Sequence, residues 1–121
     1  MDLMDRKVVA LSPDSTILVS ARLIETSSVE LLPVVEGGKL IGIIEGSAIL
    51  NYTLKHGREE LGAPIRPFMK PPLFVEKDEP VNSVVAKIIS NNLTRIPVVD
   101  SKKSMKCIGI ISASDLLKEI G

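Results

Sequence analysis

Gly109-Ile110-Ile111-Ser112-Ala113-Ser114-Asp115 leaves an apolar strand, Cys107 to Ile111, and enters a short helical pattern, Leu116-Leu117-Lys118-Glu119-Ile120. A hydroxyl and a carboxylate therefore stand at a strand-to-helix corner, where the first backbone N–H groups of a helix lack an internal partner. Two readings follow. The corner can receive the phosphate or ribose of a ligand. It can equally be a capping box, with Ser112 as N-cap and Asp115 reaching back from three residues on.

The stretch has an echo. With an offset of 64, Asp14 meets Asp78, Ile24 meets Ile88, and Pro33-Val34-Val35 meets Pro97-Val98-Val99. A hairpin three residues longer in the second half moves the offset to 67, and Ile41-Gly42-Ile43-Ile44 then meets Ile108-Gly109-Ile110-Ile111. Self-similarity at a fixed period is read before any motif, because it sets the architecture. Each half carries strand, helix, strand, hairpin, strand, helix. Half a core of about sixty residues is marginal alone. Two halves burying their sheets against each other about a pseudo-twofold axis is the expected solution, with clefts between them where a small ligand is held.

In chain order, Met1 to Arg6 reads as a lead-in turn and Val8 to Leu11 as a short strand. Ser12-Pro13-Asp14-Ser15 is turn and N-cap chemistry before a helix whose face carries Ile17, Ala21 and Ile24. Leu31 to Val35 and Leu40 to Ile44 flank the hairpin signal Glu36-Gly37-Gly38-Lys39. Gly46-Ser47 opens a helix ending near Gly57. Four prolines between Gly62 and Pro72 forbid a long regular element and leave room for one helical turn, Pro64 to Met69. The pattern then returns. Leu73 to Glu76 reads as a strand, and Val81, Val84, Val85, Ile88 and Ile89 as a helical stripe with Asp78 as cap and Pro80 in the first turn. Strands Ile96 to Val99 and Met105 to Ile111 flank a turn, and a helix spans Ala113 to Ile120. The domains expected are a first repeat over 1–60, a Pro-rich linker over 61–72 and a second repeat over 73–121.

Composition narrows the function. At 45% hydrophobic residues with three aromatics, Tyr52, Phe68 and Phe74, the core is aliphatic. Fifteen basic and fifteen acidic residues cancel, so the basic field and stacking platforms of a nucleic-acid binder are missing. One cysteine, Cys107, excludes an intrachain disulfide and a multi-cysteine zinc site, and reads as an inert buried thiol. One histidine, His56, has no second histidine to complete a metal or catalytic site and reads as a solvated helix-end residue. No run has the length of a membrane span, and the N-terminus lacks a signal-peptide core. A soluble cytoplasmic protein is expected, with no catalytic residue and no metal site.

The doubled order, the strands Leu32-Pro33-Val34-Val35 and Ile96-Pro97-Val98-Val99, and the pair Gly42-Ile43-Ile44 and Gly109-Ile110-Ile111 carry a resemblance over essentially the whole chain. It resembles a tandem pair of cystathionine-β-synthase-type (CBS) domains, a Bateman module. The resemblance implies an α+β fold of two βαββα repeats packed sheet to sheet. It implies an adenosine-containing ligand (AMP, ADP, ATP or S-adenosylmethionine) rather than a required cofactor. It also implies a homodimer and a regulated enzyme or transporter as partner.

The family's signature, Gly-h-h-Ser/Thr-x-x-Asp, stands intact from Gly109 to Asp115. By the resemblance, Asp115 bonds the ribose hydroxyls, Ser112 meets phosphate or ribose, and Ala113 and Ser114 complete the corner. Thr94 and Arg95 face the ligand, Leu73 lies near the base, and Arg66 and Lys70 are further candidate cations. A carboxylate suits a cis-diol, and a guanidinium suits phosphate. In the first repeat Glu45 replaces Ser112, Ala48 replaces Asp115, and Glu30-Leu31 replaces Thr94-Arg95. That cleft is expected to be degenerate for nucleotides, with Glu30 and Glu45 as surface charges rather than a catalytic pair. One ligand per chain, or none, is the expectation. The competing reading is a ligand-free interaction or dimerisation module.

Overall fold

The computed structural model describes residues 4–6, 8–27, 30–57 and 60–120. Met1 to Leu3 of the expected lead-in lie outside the described residues. The elements are α1 (Ile17–Ser27), β1 (Leu31–Glu36), β2 (Lys39–Glu45) and α2 (Gly46–His56), then β3 (Val75–Glu76), α3 (Val81–Ser90), β4 (Arg95–Val99), β5 (Cys107–Ser112) and α4 (Ala113–Ile120). The seam holds the one short helical turn that its prolines allow, Arg66–Phe68. Two βαββα-like halves result, each a small sheet covered by two helices.

The first strand of each half is shorter than the apolar run suggests. Leu11 alone pairs with Val34, and β3 starts only at Val75, which pairs with Val98. Both pairings are parallel. In such a ladder the next rung upstream would take an N–H from Pro33 or Pro97, and proline has none. Val8 to Ala10 and Leu73-Phe74 are therefore left outside the sheets, and Leu73 is free to face a cleft.

The turns before α1 and α3 are built alike from different side chains. Ser12 N–H donates to Ser15 Oγ at 3.0 Å, and Glu76 N–H donates to Glu79 Oε1 at 3.1 Å. The cap of α1 is Thr16, whose Oγ1 accepts from Val19 N–H at 3.3 Å. In the second half Pro80 is itself the residue before the helix. Asp78 is exposed, and the acid that organises this end is Glu79, which also accepts from the Ser83 hydroxyl and the Lys87 ammonium. Proline's fixed φ suits the entry to a helix, and its placement one residue before Val81 moves the capping work to its neighbour.

Each half has its own aliphatic core between sheet and helices. Leu11, Ile17, Leu32, Val34, Ile44, Ile49 and Ile65 form the first. Val75, Val84, Ile88, Ile96, Val98, Ile111 and Leu116 form the second. The opposite faces of the sheets are buried too, at Leu31, Pro33 and Ile43 in one half and Pro97 and Val99 in the other.

The halves are stitched together at three kinds of contact. Lys39 and Lys106, equivalent residues at the hairpin ends, form an antiparallel bridge. Glu30 and Thr94, also equivalent, meet at the other end of the sheets. Finally, each half is strapped by an extended segment that precedes the next apolar strand. Met69-Lys70 of the seam lies along β2, with Ile43 and Lys70 exchanging hydrogen bonds of 3.0 Å. Met4-Asp5 lies along β5, with Asp5 and Ile110 exchanging bonds of 2.7 and 2.9 Å. The lead-in of the first repeat thus completes the second repeat's sheet. The straps explain two glycines. A Cβ on Gly42 would sit 2.8 Å from Lys70 O, and one on Gly109 would sit 2.7 Å from Met4 Sδ and 2.8 Å from Asp5 O. No helix among the described residues is long and apolar enough to cross a membrane.

Candidate functional site

β4 and β5 are antiparallel, with Arg95 opposite Ser112, so the start of one strand meets the end of the other. Ala113 N–H donates to Thr94 O at 2.7 Å and fixes the turn into α4. Register and turn together bring Thr94, Arg95, Ser112, Ala113, Ser114 and Asp115 to one corner.

Within it, Asp115 N–H donates to Ser112 Oγ at 3.2 Å, which makes Ser112 the N-cap. The Ser112 hydroxyl in turn donates to Asp115 Oδ2 at 2.7 Å. With that proton committed, the 3.0 Å contact between Ser112 and Ser114 is a bond donated by Ser114. The cap of the sequence reading is therefore present, although Asp115 reaches back to the Ser112 hydroxyl rather than to its backbone N–H. It still leaves Asp115 Oδ1 without a hydrogen-bond donor among the described residues. The bond to Ser112 thus leaves lone pairs of the same carboxylate open to another donor.

The remaining expected residues lie elsewhere. Leu73 lines a cleft of about 290 Å³ between the halves, with Glu30, Leu31, Glu45 and Ser47 from the first and Asn91, Asn92 and Leu93 from the second. It also borders a smaller hollow of about 210 Å³ that includes Phe74 and Lys87. Arg66 pairs with Asp14 at 3.3 Å, both exposed, and no described contact joins it to the Ser112 corner. Lys70 pairs with Glu45 at 2.8 Å, in the first half.

The first-half corner has the same backbone. Leu31 is opposite Glu45, and Gly46 N–H donates to Glu30 O at 2.9 Å. Its chemistry differs. Glu45 is the N-cap residue of α2 yet makes no side-chain capping bond. Its carboxylate goes to Lys70 instead.

The residue that sequence reasoning set aside is Glu30. Its carboxylate accepts the Thr94 N–H at 2.6 Å and the Thr94 hydroxyl at 2.9 and 3.0 Å through its two oxygens. Burial pushes the Glu30 carboxyl up, but the bonds from Thr94 and from its own backbone N–H, with the charge of Arg95, outweigh it and hold it below its ordinary value. The available signal was the offset itself, since equivalent positions of two repeats meet only at the axis relating them. Asn91 and Asn92 were also passed over. Asn92 takes a left-handed backbone with φ 54°, a conformation asparagine tolerates at a helix end.

The other chemically reactive groups have structural roles. Cys107 is half-buried, and burial raises its thiol above the ordinary value, which disfavours thiolate. His56 is exposed and stacks on Tyr52 with centroids 4.5 Å apart. No group of metal-ligating side chains is assembled among the described residues.

Comparison with known proteins bears on the whole chain. It is 29% identical over 112 residues to inosine-5'-monophosphate dehydrogenase of Thermoplasma acidophilum, covering 93% of this chain and 21% of that protein. It is 25% identical over 123 residues to L-aspartate semialdehyde sulfurtransferase of Methanocaldococcus jannaschii, covering 99% and 23%. The chain thus spans about a fifth of the length of these relatives. Among solved structures it is similar to protein MJ1225 from Methanocaldococcus jannaschii, with a TM-score of 0.82 at 24% identity, covering 99% of this chain and 46% of that one. It is similar to the CBS domain pair of protein MJ0100, solved in complex with 5'-methylthioadenosine and S-adenosyl-L-methionine, with a TM-score of 0.75 at 25% identity, covering 99% and 93%. It shares its fold with CBSX2, solved in complex with AMP, with a TM-score of 0.76 at 22% identity, covering 98% and 92%. The profile of the CBS domain matches residues 1–55 and again 65–121. Matched twice along its length, the chain belongs to the CBS domain family as a tandem pair.

Proposed function

We propose that this CBS pair is a regulatory module that binds one adenosine-containing small molecule per chain at the Ser112–Asp115 corner, and that it is not itself catalytic. The observation that carries the reading is the contrast between corners. Only the second joins a hydroxyl N-cap, a carboxylate with an oxygen to spare, and an arginine with no ion pair among the described residues. In this reading Asp115 Oδ1 accepts from a ribose diol, and the N-terminal end of α4 and Arg95 face the 5' substituent. The likeness to the MJ0100 pair and its adenosyl ligands supports that chemical class. The partner acted upon is an enzyme or transporter, on the same chain or another, in the cytoplasm. Arg66, joined to this corner by no described contact, is left out of this reading.

The test is thermal unfolding with AMP, ADP, ATP, S-adenosylmethionine and methylthioadenosine. A ligand at a hundredfold its Kd stabilises by about 2.7 kcal/mol, on the order of 5–15 °C for a domain of this size. A shift that Asp115→Ala abolishes supports the reading, and no shift with any of the five ends it.

A second reading has its own observation. Val85, Ile88, Ile89, Ala113, Leu116 and Leu117 line an apolar groove of about 140 Å³ between α3 and α4. Ile89 is 70% and Leu117 67% exposed. This is the face on which a homodimer would form, with or without ligand. A monomer by light scattering at about 100 μM, within the range of weak association, would remove it.

A further inference from the structure

We infer that Glu30 makes the second-repeat corner select adenosine ligands whose 5' substituent is uncharged or cationic over those that carry phosphate. The inference rests on the adenosyl-binding reading and specifies its ligand. Thr94 presents an N–H and a hydroxyl side by side, with the Arg95 guanidinium on the next residue. That donor set is what a phosphate oxygen seeks. In this protein a carboxylate from the other repeat already holds both Thr94 donors, by three contacts of 2.6, 2.9 and 3.0 Å. Glu30 also forms part of the wall of the 290 Å³ inter-repeat cleft.

A phosphate arriving at Thr94 must displace that carboxylate and then lie beside it. It loses on both counts, because Thr94 exchanges one set of charge-assisted bonds for another while two anions are brought together. Glu30 has no cation within salt-bridge distance among the described residues, and Leu31 stands where the equivalent of Arg95 would be. A thioether at the 5' position needs none of these donors. A sulfonium or ammonium group gains from the carboxylate. The ribose grip at Asp115 is common to all of them, so discrimination is left to Glu30.

Isothermal titration of the full chain with methylthioadenosine, S-adenosylmethionine and AMP tests this in wild type, Glu30→Gln and Glu30→Asp. Wild type should bind methylthioadenosine at least about tenfold tighter than AMP, the size of one lost charge-assisted hydrogen bond. Glu30→Gln should bring the two within about threefold, chiefly by tightening AMP, and should weaken S-adenosylmethionine. Glu30→Asp keeps the charge, shortens the reach and should fall between them. The ratio of affinities is the readout, because a merely structural role would move all ligands together. An unchanged ratio in Glu30→Gln, or AMP already preferred in wild type, overturns the inference and leaves the adenosyl reading standing. No binding of any of the three compounds to any of the three proteins overturns both.

Discussion

The corner at Glu45-Gly46-Ser47-Ala48 and the corner at Ser112-Ala113-Ser114-Asp115 are one backbone with two chemistries. Strand register and the bond from the helix's first N–H repeat in both, to Glu30 O at 2.9 Å and to Thr94 O at 2.7 Å. At the second, a serine caps the helix and an aspartate is held with one oxygen to spare. At the first, the capping position carries an acid that leaves the helix end alone and pairs with Lys70 at 2.8 Å. Duplication therefore preserves what the backbone needs to fold and lets the side chains at each mouth drift independently. The same lesson holds at the turns before α1 and α3, where the Ser15 hydroxyl accepts the Ser12 N–H as the Glu79 carboxylate accepts the Glu76 N–H.

The largest expected effect tests how equal the two cores are. Ile44 and Ile111 are equivalent and both fully buried. Truncation to Ala should cost about 2–5 kcal/mol at either position. Urea unfolding of the two variants should agree within about 1 kcal/mol, and a markedly smaller loss in one would mean that its half relaxes around the cavity.

The straps come next. Gly42→Ala and Gly109→Ala each drive a Cβ against backbone oxygen at 2.8 Å. Each should cost about 1–3 kcal/mol. Because the Gly109 strap is the chain's own lead-in, its variant should also expose Met4-Asp5, seen as faster amide exchange at Asp5 and Ile110. Unchanged exchange there would show that the strap accommodates the methyl group.

Exchanging the corners is a smaller perturbation. Asp115→Ala should lower stability without ligand by about 1 kcal/mol through the lost capping contact. Glu45→Ser with Ala48→Asp should raise it by about 0.5–1 kcal/mol, since a cap is gained and only an exposed ion pair is lost. If the double variant also acquires a second molar equivalent of adenosyl ligand by titration, the side chains alone separate the corners. Failure to do so would place the difference in Glu30 and Leu31 instead.

The smallest effect is on acid stability. Burial pushes the Glu79 carboxyl up, but the Ser83 hydroxyl, the Glu76 N–H and the Lys87 ammonium together hold it below its ordinary value of 4.5. A depressed folded value means that its stabilisation is present above about pH 4.5 and is lost as pH falls through the folded value. The equivalent residue in the first repeat, Ser15, does not titrate in this range. Glu79→Gln should therefore flatten the fall of the urea midpoint below about pH 4.5. An unaltered slope would assign the acid limb to other carboxylates, Glu30 first among them.

Periodicity and punctuation carried most of the architecture. The stripe Val81 to Ile89, the hairpin at Gly37-Gly38 and the prolines of the seam all acted locally, and local signals survive without a structure. The trimmed first strands were legible in principle, since Pro33 and Pro97 were in view, but only once a parallel neighbour was assigned to them. Asp78 misled because a good capping residue stood next to a better-placed one. Leu73 was expected near the base of a ligand, and the structure places it in the inter-repeat cleft with Glu45 and Ser47.

The chain by itself determined the repeat, the element order and the asymmetry of the two corners, because these depend on residue type and on neighbours within a few positions. Only the tertiary structure decided that Glu30 lies on Thr94, that Lys70 neutralises Glu45, and that Met4-Asp5 straps the opposite half. Those contacts join residues 25 to 105 positions apart. Their partners are chosen by where a pseudo-twofold axis passes, and the position of an axis is a property of packed sheets that no local pattern encodes.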